Sequence, residues 1–126
     1  MGWRSWNCYH QAISQEKMTA AADAMVNKSR GLSLLEVGYE NCGLDDYYQA
    51  CKTGVQGSFH NASGYPLIDK TKFPDMKAMT DHAHSIGLKM GWCTLKPGQL
   101  CIATNLAVRD LQLIDPVCRC EQLWLQ

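Results

Sequence analysis

Two adjacent carboxylates, Asp45 and Asp46, are the residues most able to do chemistry. They follow an apolar run and precede a glycine-rich stretch, in Gly43-Leu44-Asp45-Asp46-Tyr47-Tyr48. Two ionised carboxylates side by side are costly unless they meet a cation, a ligand or hydrogen-bond donors. Sugar hydroxyls are donors of that kind. Near the start of the chain, Gly2-Trp3-Arg4-Ser5-Trp6-Asn7 supplies two indoles that could wall a mixed polar and apolar pocket. The plainer reading of the aspartates is a helix cap or a solvated turn, where Asp is common. The plainer reading of Trp3 and Trp6 is core, and Trp3 is read that way. The pair does not suit the two catalytic carboxyls of a retaining glycosidase, which stand about 5–5.5 Å apart across the scissile bond. Neighbours on a strand point to opposite sides, so binding fits the pair better than catalysis.

The elements that must position these residues follow from periodicity. Residues 14–26 predict a helix, with Ser14 as N-cap and Met18, Ala21, Ala22, Met25 and Val26 on one face. Asn27 to Gly31 breaks it. Residues 34–44 predict a strand containing Val37, Tyr39 and Leu44. A long loop then runs over about residues 47–72, with Gly54, Gly57, Asn61, Gly64 and Pro66; loops of that length in compact domains are usually functional. Pro74 suits the first turn of a second helix, whose inner face is Met76, Met79, Ala83 and Ile86. Gly87 suits its C′ position. Residues 88–94 return as a strand. Strand, loop, helix, strand makes a βαβ crossover and hence parallel pairing, which places Asp45 and Asp46 at the carboxyl end of a strand, where parallel folds bind ligands.

Composition narrows the partners. Across 126 residues, 46% are hydrophobic and 19% charged, and twelve acidic side chains balance twelve basic ones. That is a globular composition with no basic surface for nucleic acid and no polybasic patch for a membrane. No apolar stretch reaches the roughly eighteen residues of a membrane span, and no signal-peptide pattern opens the chain. Seven cysteines cannot all pair within one chain. With the sequons Asn27-Lys28-Ser29 and Asn61-Ala62-Ser63, they lean toward a secretory ancestor with disulfides; reduced, buried thiols are the alternative. The residues assign neither compartment nor oligomeric state.

Three segments together carry a resemblance: Met1-Gly2-Trp3-Arg4-Ser5-Trp6-Asn7, Gly43-Leu44-Asp45-Asp46-Tyr47-Tyr48, and the stretch from Phe73-Pro74-Asp75-Met76 to Gly87-Leu88-Lys89-Met90-Gly91-Trp92. Residues 1–93 resemble the opening of glycoside hydrolase family 27, the α-galactosidases (melibiases), in a variant like that of algal or protist members. The resemblance implies the first three or so βα units of a (β/α)₈ TIM barrel over residues 1–94. The barrel is not closed in this chain, since closure takes at least about 200 residues. It also implies retaining hydrolysis of terminal α-galactosyl residues, through an Asp nucleophile and an Asp acid/base. A galactoside or galactose is the implied partner, with no metal or cofactor. Trp6, Asp45 and Asp46 take the roles of sugar-binding residues.

The pattern also departs from the family. Tyr48 stands where the family commonly has Trp, and Cys93 where it usually has a substrate-binding Tyr. Cys101 fits a family cysteine that bridges to one beside the nucleophile. The nucleophile's Lys-x-Asp-x-Cys motif does not occur. The nearest match, Leu113-Ile114-Asp115-Pro116-Val117-Cys118, lacks the Lys, and its Pro would disturb a central strand. Asp115 is therefore not assigned, and no catalytic residue is expected in this chain. Residues 95–126 read as a divergent tail, and the loss of pattern near Gly98 predicts a truncated product without turnover of its own. Two alternatives stand beside this reading. One is a non-catalytic galactose binder. The other is a metal module built on His82, His84, Cys93, Cys101, Cys118 and Cys120, for which the spacing is poor: no Cys-x-x-Cys occurs.

Overall fold

The structure, a computed structural model, describes residues 1–93. Three short strands form a parallel sheet: β1 (Gly2–Arg4), β2 (Asn41–Leu44) and β3 (Lys89–Trp92), in that spatial order. Trp3, Cys42 and Met90 lie in one register row, and Arg4, Gly43 and Gly91 in the next. The alternation of strands puts Trp3, Cys42, Leu44, Met90 and Trp92 on one face. Helices α2 (Gln15–Val26) and α3 (Met76–Ser85) cover that face. Met18, Ala22 and Met25 from α2 meet Met76, Met79 and Ala83 from α3 over Cys42, Leu44 and Met90. Burial pushes the Cys42 thiol up to about 11, so it packs as an apolar group. The opposite face carries Gly2, Arg4, Asn41, Gly43, Lys89 and Gly91, and no helix covers it among the described residues. The arrangement is an unclosed part of a (β/α)₈ barrel.

Helix α2 begins as the sequence predicts, with Ser14 Oγ accepting from the Lys17 N–H. Its expected inner face is buried at Met18, Ala22 and Met25 and half-buried at Ala21 and Val26. Helix α3 starts two residues later than Pro74 suggests. Asp75 is its N-cap, accepting from the Ala78 N–H, and Pro74 lies outside it. At its end Gly87 takes a left-handed φ of 87°. The Gly87 and Leu88 N–H groups return to His84 and Ala83, the bonding pattern of a Schellman motif.

The strand predicted over 34–44 shrinks to Asn41–Leu44. Ser33 and Glu36 are the cause. The Ser33 N–H and hydroxyl donate to Glu36 Oε2, and the Glu36 N–H donates to Ser33 Oγ. This reciprocal capping box turns the backbone. Gly38, at φ 93°, closes the turn with bonds from Gly38 to Leu35 and from Tyr39 to Leu34. Val37 is left exposed.

The long loop is organised by its own backbone. Segment 66–69 runs between segments 48–50 and 59–61, through Ala50 N–H to Leu67 O (2.7 Å), Asp69 N–H to Tyr48 O (2.8 Å) and Leu67 N–H to Phe59 O (2.7 Å). Tyr48, Phe59 and Phe73 are fully buried anchors. Gly54 is required where it stands: a Cβ there would lie 2.2 Å from the His60 carbonyl oxygen.

Candidate functional site at the strand ends

The chain leaves β1 through Ser5, a buried residue whose N–H donates to Gly43 O and whose hydroxyl accepts from the Asp45 N–H. These two bonds lock the ends of β1 and β2 together. A single helical turn, α1 (Trp6–Tyr9), follows at once. Its first N–H, on Trp6, has no partner within so short a helix; it donates to Asp45 Oδ2 at 3.0 Å. The other oxygen, Oδ1, accepts from Arg4 Nε at 2.8 Å and Arg4 Nη2 at 2.5 Å. Asp45 thus ties three pieces together: the end of β1, the start of α1 and the end of β2.

Asp46 differs. It is half-buried and accepts no hydrogen bond among the described residues. Its charge is felt by Tyr47, whose phenol is raised first by burial and then by the neighbouring carboxylate. Tyr47 has a left-handed backbone, φ 72°, uncommon for a bulky residue and typical of strained functional positions. The turn brings its ring onto Trp6, stacked at 5.8 Å between centroids and 24° between planes. His10 meets Trp6 edge-on at 5.3 Å, from a backbone also in the left-handed region. Lys72 holds Tyr47 from behind: its Nζ lies 5.8 Å from the ring centroid and donates to the Tyr47 and Gln11 carbonyls.

The structure therefore brings Trp6, Asp45 and Asp46 to one rim, at the carboxyl ends of β1 and β2. Trp6 remains 36% exposed, enough to offer indole surface to a ligand, whereas Trp3 packs against the core and meets Tyr9 edge-on. Arg4, Tyr47, His10 and Lys72 are participants the sequence reading missed. Arg4 sits inside the opening motif and Tyr47 directly beside the aspartates, but their contacts span 41 and 25 residues of chain, which no local pattern carries. Chemically, the rim offers acceptors for hydroxyl groups beside aromatic surface.

The proposed metal ligands are spread out. His82 Nε2 lies 2.7 Å from Asp23 Oδ1 on α2, and His84 is exposed. Cys93 is buried, with its N–H donating to Leu44 O. Cys101, Cys118, Cys120 and Asp115 lie outside the described residues. Among the described residues, no three His, Cys, Asp or Glu side chains gather as a metal site, and no helix is long and apolar enough to cross a membrane.

No protein-family profile matches the chain. Individual relatives do. α-Galactosidase 2 of Arabidopsis thaliana is 39% identical over 92 residues, which is 72% of this chain and 20% of that protein. The crystal structure of α-galactosidase I from Mortierella vinacea superposes with a TM-score of 0.62 at 30% identity, over 79% of this chain and 24% of that one. The chain carries an N-terminal portion of the α-galactosidase family. A further α-galactosidase, from Saccharomyces cerevisiae, was solved with raffinose; it superposes with a TM-score of 0.59 at 26% identity, over 73% of this chain and 18% of that one. This α-galactosidase portion spans about a fifth to a quarter of the length of the relatives it matches. Its three-stranded sheet is the corresponding part of their barrel.

Proposed function

We propose that residues 1–94 furnish the galactose-binding corner of a retaining α-galactosidase, in which Trp6, Asp45 and Asp46 contact the sugar. The observation that carries this reading is the Asp46 carboxylate, half-buried and without a hydrogen-bond donor among the described residues, beside the Trp6–Tyr47 stack. A galactosyl residue offers what is missing there: hydroxyl donors for the carboxylate and a C–H surface for the rings. The yeast relative solved with raffinose, a galactoside, supports this substrate class.

Catalysis is a separate matter in this reading. The 126 residues contain no Lys-x-Asp-x-Cys motif, and the rim carries an aspartate pair already committed to binding and to structure. Residues 1–126 by themselves are therefore a galactose binder without turnover, residues 95–126 are a divergent tail, and both catalytic aspartates belong to sequence this chain does not contain. Disulfide pairing is part of the same proposal. Cys8 and Cys42 are free thiols, so any bridge falls to the other cysteines.

The test combines turnover with binding. The purified chain is incubated with an aryl α-galactoside and an aryl α-N-acetylgalactosaminide, then titrated with galactose by calorimetry. The expected result is no aryl release and a weak heat of binding, with Kd on the order of millimolar, about −4 kcal/mol. Aryl release that persists through repurification and disappears in Asp115→Asn would overturn the missing-nucleophile reading. Absence of any galactose binding would overturn the sugar corner.

A further inference from the structure

We propose that Arg4 is the positioning residue of this corner: acting through Asp45, it sets the place of Trp6 and leaves Asp46 as the principal acceptor for the sugar. The inference rests on the galactose-binding reading above and adds a residue and a division of labour to it.

The geometry begins with the sheet. Arg4 and Gly43 are register partners on β1 and β2, on the face that no helix covers among the described residues. The Arg4 side chain crosses that face directly over Gly43. A Cβ at Gly43 would lie 3.3 Å from Arg4 Cγ, 3.4 Å from Arg4 Nη1 and 3.4 Å from Trp3 O. Gly43 has an ordinary backbone conformation, so a turn does not call for glycine here; a Cβ would instead press on the Arg4 side chain. From this position the guanidinium reaches Asp45 Oδ1 with two N–H groups. A planar fork can do this and an ammonium cannot. The opposite oxygen, Oδ2, accepts from the Trp6 N–H. Rotating the carboxylate to follow a displaced guanidinium would move both oxygens, so Arg4 and the first residue of α1 are coupled through one rigid group.

The lone pairs complete the argument. A carboxylate offers about four acceptor sites. Arg4 occupies two on Oδ1 and Trp6 occupies one on Oδ2, leaving Asp45 with about one. Asp46 keeps all of its own among the described residues, where no donor reaches it. The two adjacent aspartates are thus unequal: the first is chiefly a strut and the second chiefly a ligand group. Their order along the chain decides this. Asp45, directly after β2, is on the side that faces Arg4, as its bonds to the guanidinium show.

The test is a double-mutant cycle in the 126-residue chain, read in two ways: galactose affinity by titration, and the Trp6 amide and Arg4 Nε–H resonances by ¹⁵N NMR. Arg4→Met is expected to weaken galactose about tenfold, the scale of one hydrogen bond to a charged group, and to shift the Trp6 amide. In an Asp45→Asn background the same substitution is expected to have little further effect on either readout, since Arg4 acts through Asp45. Arg4→Lys should recover only part of the affinity. Gly43→Ala, which leaves every charge in place, should reproduce the Trp6 shift; it also keeps the question answerable if Arg4→Met does not fold. An equal loss from Arg4→Met in both backgrounds would overturn the proposal, because Arg4 would then act independently of Asp45. A Trp6 amide unmoved by Arg4→Met and Gly43→Ala would overturn it too. If the native chain binds no galactose, the sugar reading falls, and the Trp6 amide alone decides the clamp: a non-additive shift across the cycle supports it and an unmoved resonance refutes it.

Discussion

The two ends of the sheet are built from the same three strands and solve opposite problems. At the amino end, charges and backbone groups are satisfied locally. The Met1 amino group donates to Gly38 O at 3.0 Å, Asn41 Nδ2 donates to Met1 O at 3.0 Å, and the Lys89 ammonium lies 3.2 Å from a Glu40 carboxylate oxygen. Behind it, the Ser33–Glu36 capping box turns the chain and Lys28 holds Glu36. At the carboxyl end, Asp45 accepts three hydrogen bonds and Asp46 accepts none among the described residues, while His10 and Tyr47 carry left-handed backbones. Local strain and uncompensated charge persist where surrounding structure holds them in place. Here Ser5, Asp45 and Lys72 do the holding. One end of the sheet pairs its charges locally, and the other leaves the Trp6 indole partly exposed beside Asp46.

The largest change should come from Asp45→Asn. It weakens the Arg4 pairing and the bond to the Trp6 N–H together, so urea unfolding should show a loss of about 1–3 kcal/mol, along with weaker galactose binding. Asp46→Asn should separate the two properties. Galactose affinity falls about tenfold or more, the scale of a lost charged hydrogen bond, while unfolding stays within about 0.5 kcal/mol of the native chain, because no protein donor is lost. If Asp46→Asn destabilises the fold as much as Asp45→Asn, the division between strut and ligand group is wrong.

The amino end answers to pH. Glu36 is lowered from 4.5 to about 2, chiefly by the Lys28 hydrogen bond and then by bonds from Ser33. A depressed folded-state value contributes stability that is fully present above the unfolded value. That contribution is lost as pH falls from about 4.5 to about 2. Protection factors of the Ser33 and Leu35 amides, corrected for intrinsic exchange, should therefore fall in acid, and Glu36→Gln should remove that pH dependence while leaving Trp6 unaffected. Smallest of all should be Lys89→Met. It breaks an exposed ion pair with Glu40, expected to cost about 1 kcal/mol or less in unfolding and to leave galactose affinity unchanged. A loss of affinity there would dissolve the contrast between the ends.

What was legible in the sequence follows the range of the interactions. Helix α2 and its Ser14 cap, the Gly87 terminator of α3 and the parallel crossover all rest on contacts within a few residues, or on an apolar repeat. The strand expected over 34–44 is shorter in the fold because the Ser33-x-x-Glu36 pattern outweighs the strand propensity of Val37 and Tyr39. That pattern was visible, and it overrode local propensity. Asp75, one residue after Pro74, is likewise a cap type legible in the sequence and caps α3. Trp6, Asp45 and Asp46 could be singled out as candidates from their types and from a family resemblance, and the fold brings them to one rim. Their unequal hydrogen bonding could not, because it arises from Arg4, placed 41 residues away by strand pairing. Tyr47 was hidden for a different reason: nothing in its type announces a left-handed backbone.

The most direct measurement is a ¹⁵N–¹H NMR titration of the 126-residue chain with galactose. The account predicts saturable shifts at the Trp6, Asp46 and Tyr47 amides and none at Glu40, Asn41 or Lys89. Unchanged resonances at the carboxyl end of the sheet, or shifts of equal size at both ends, would contradict it.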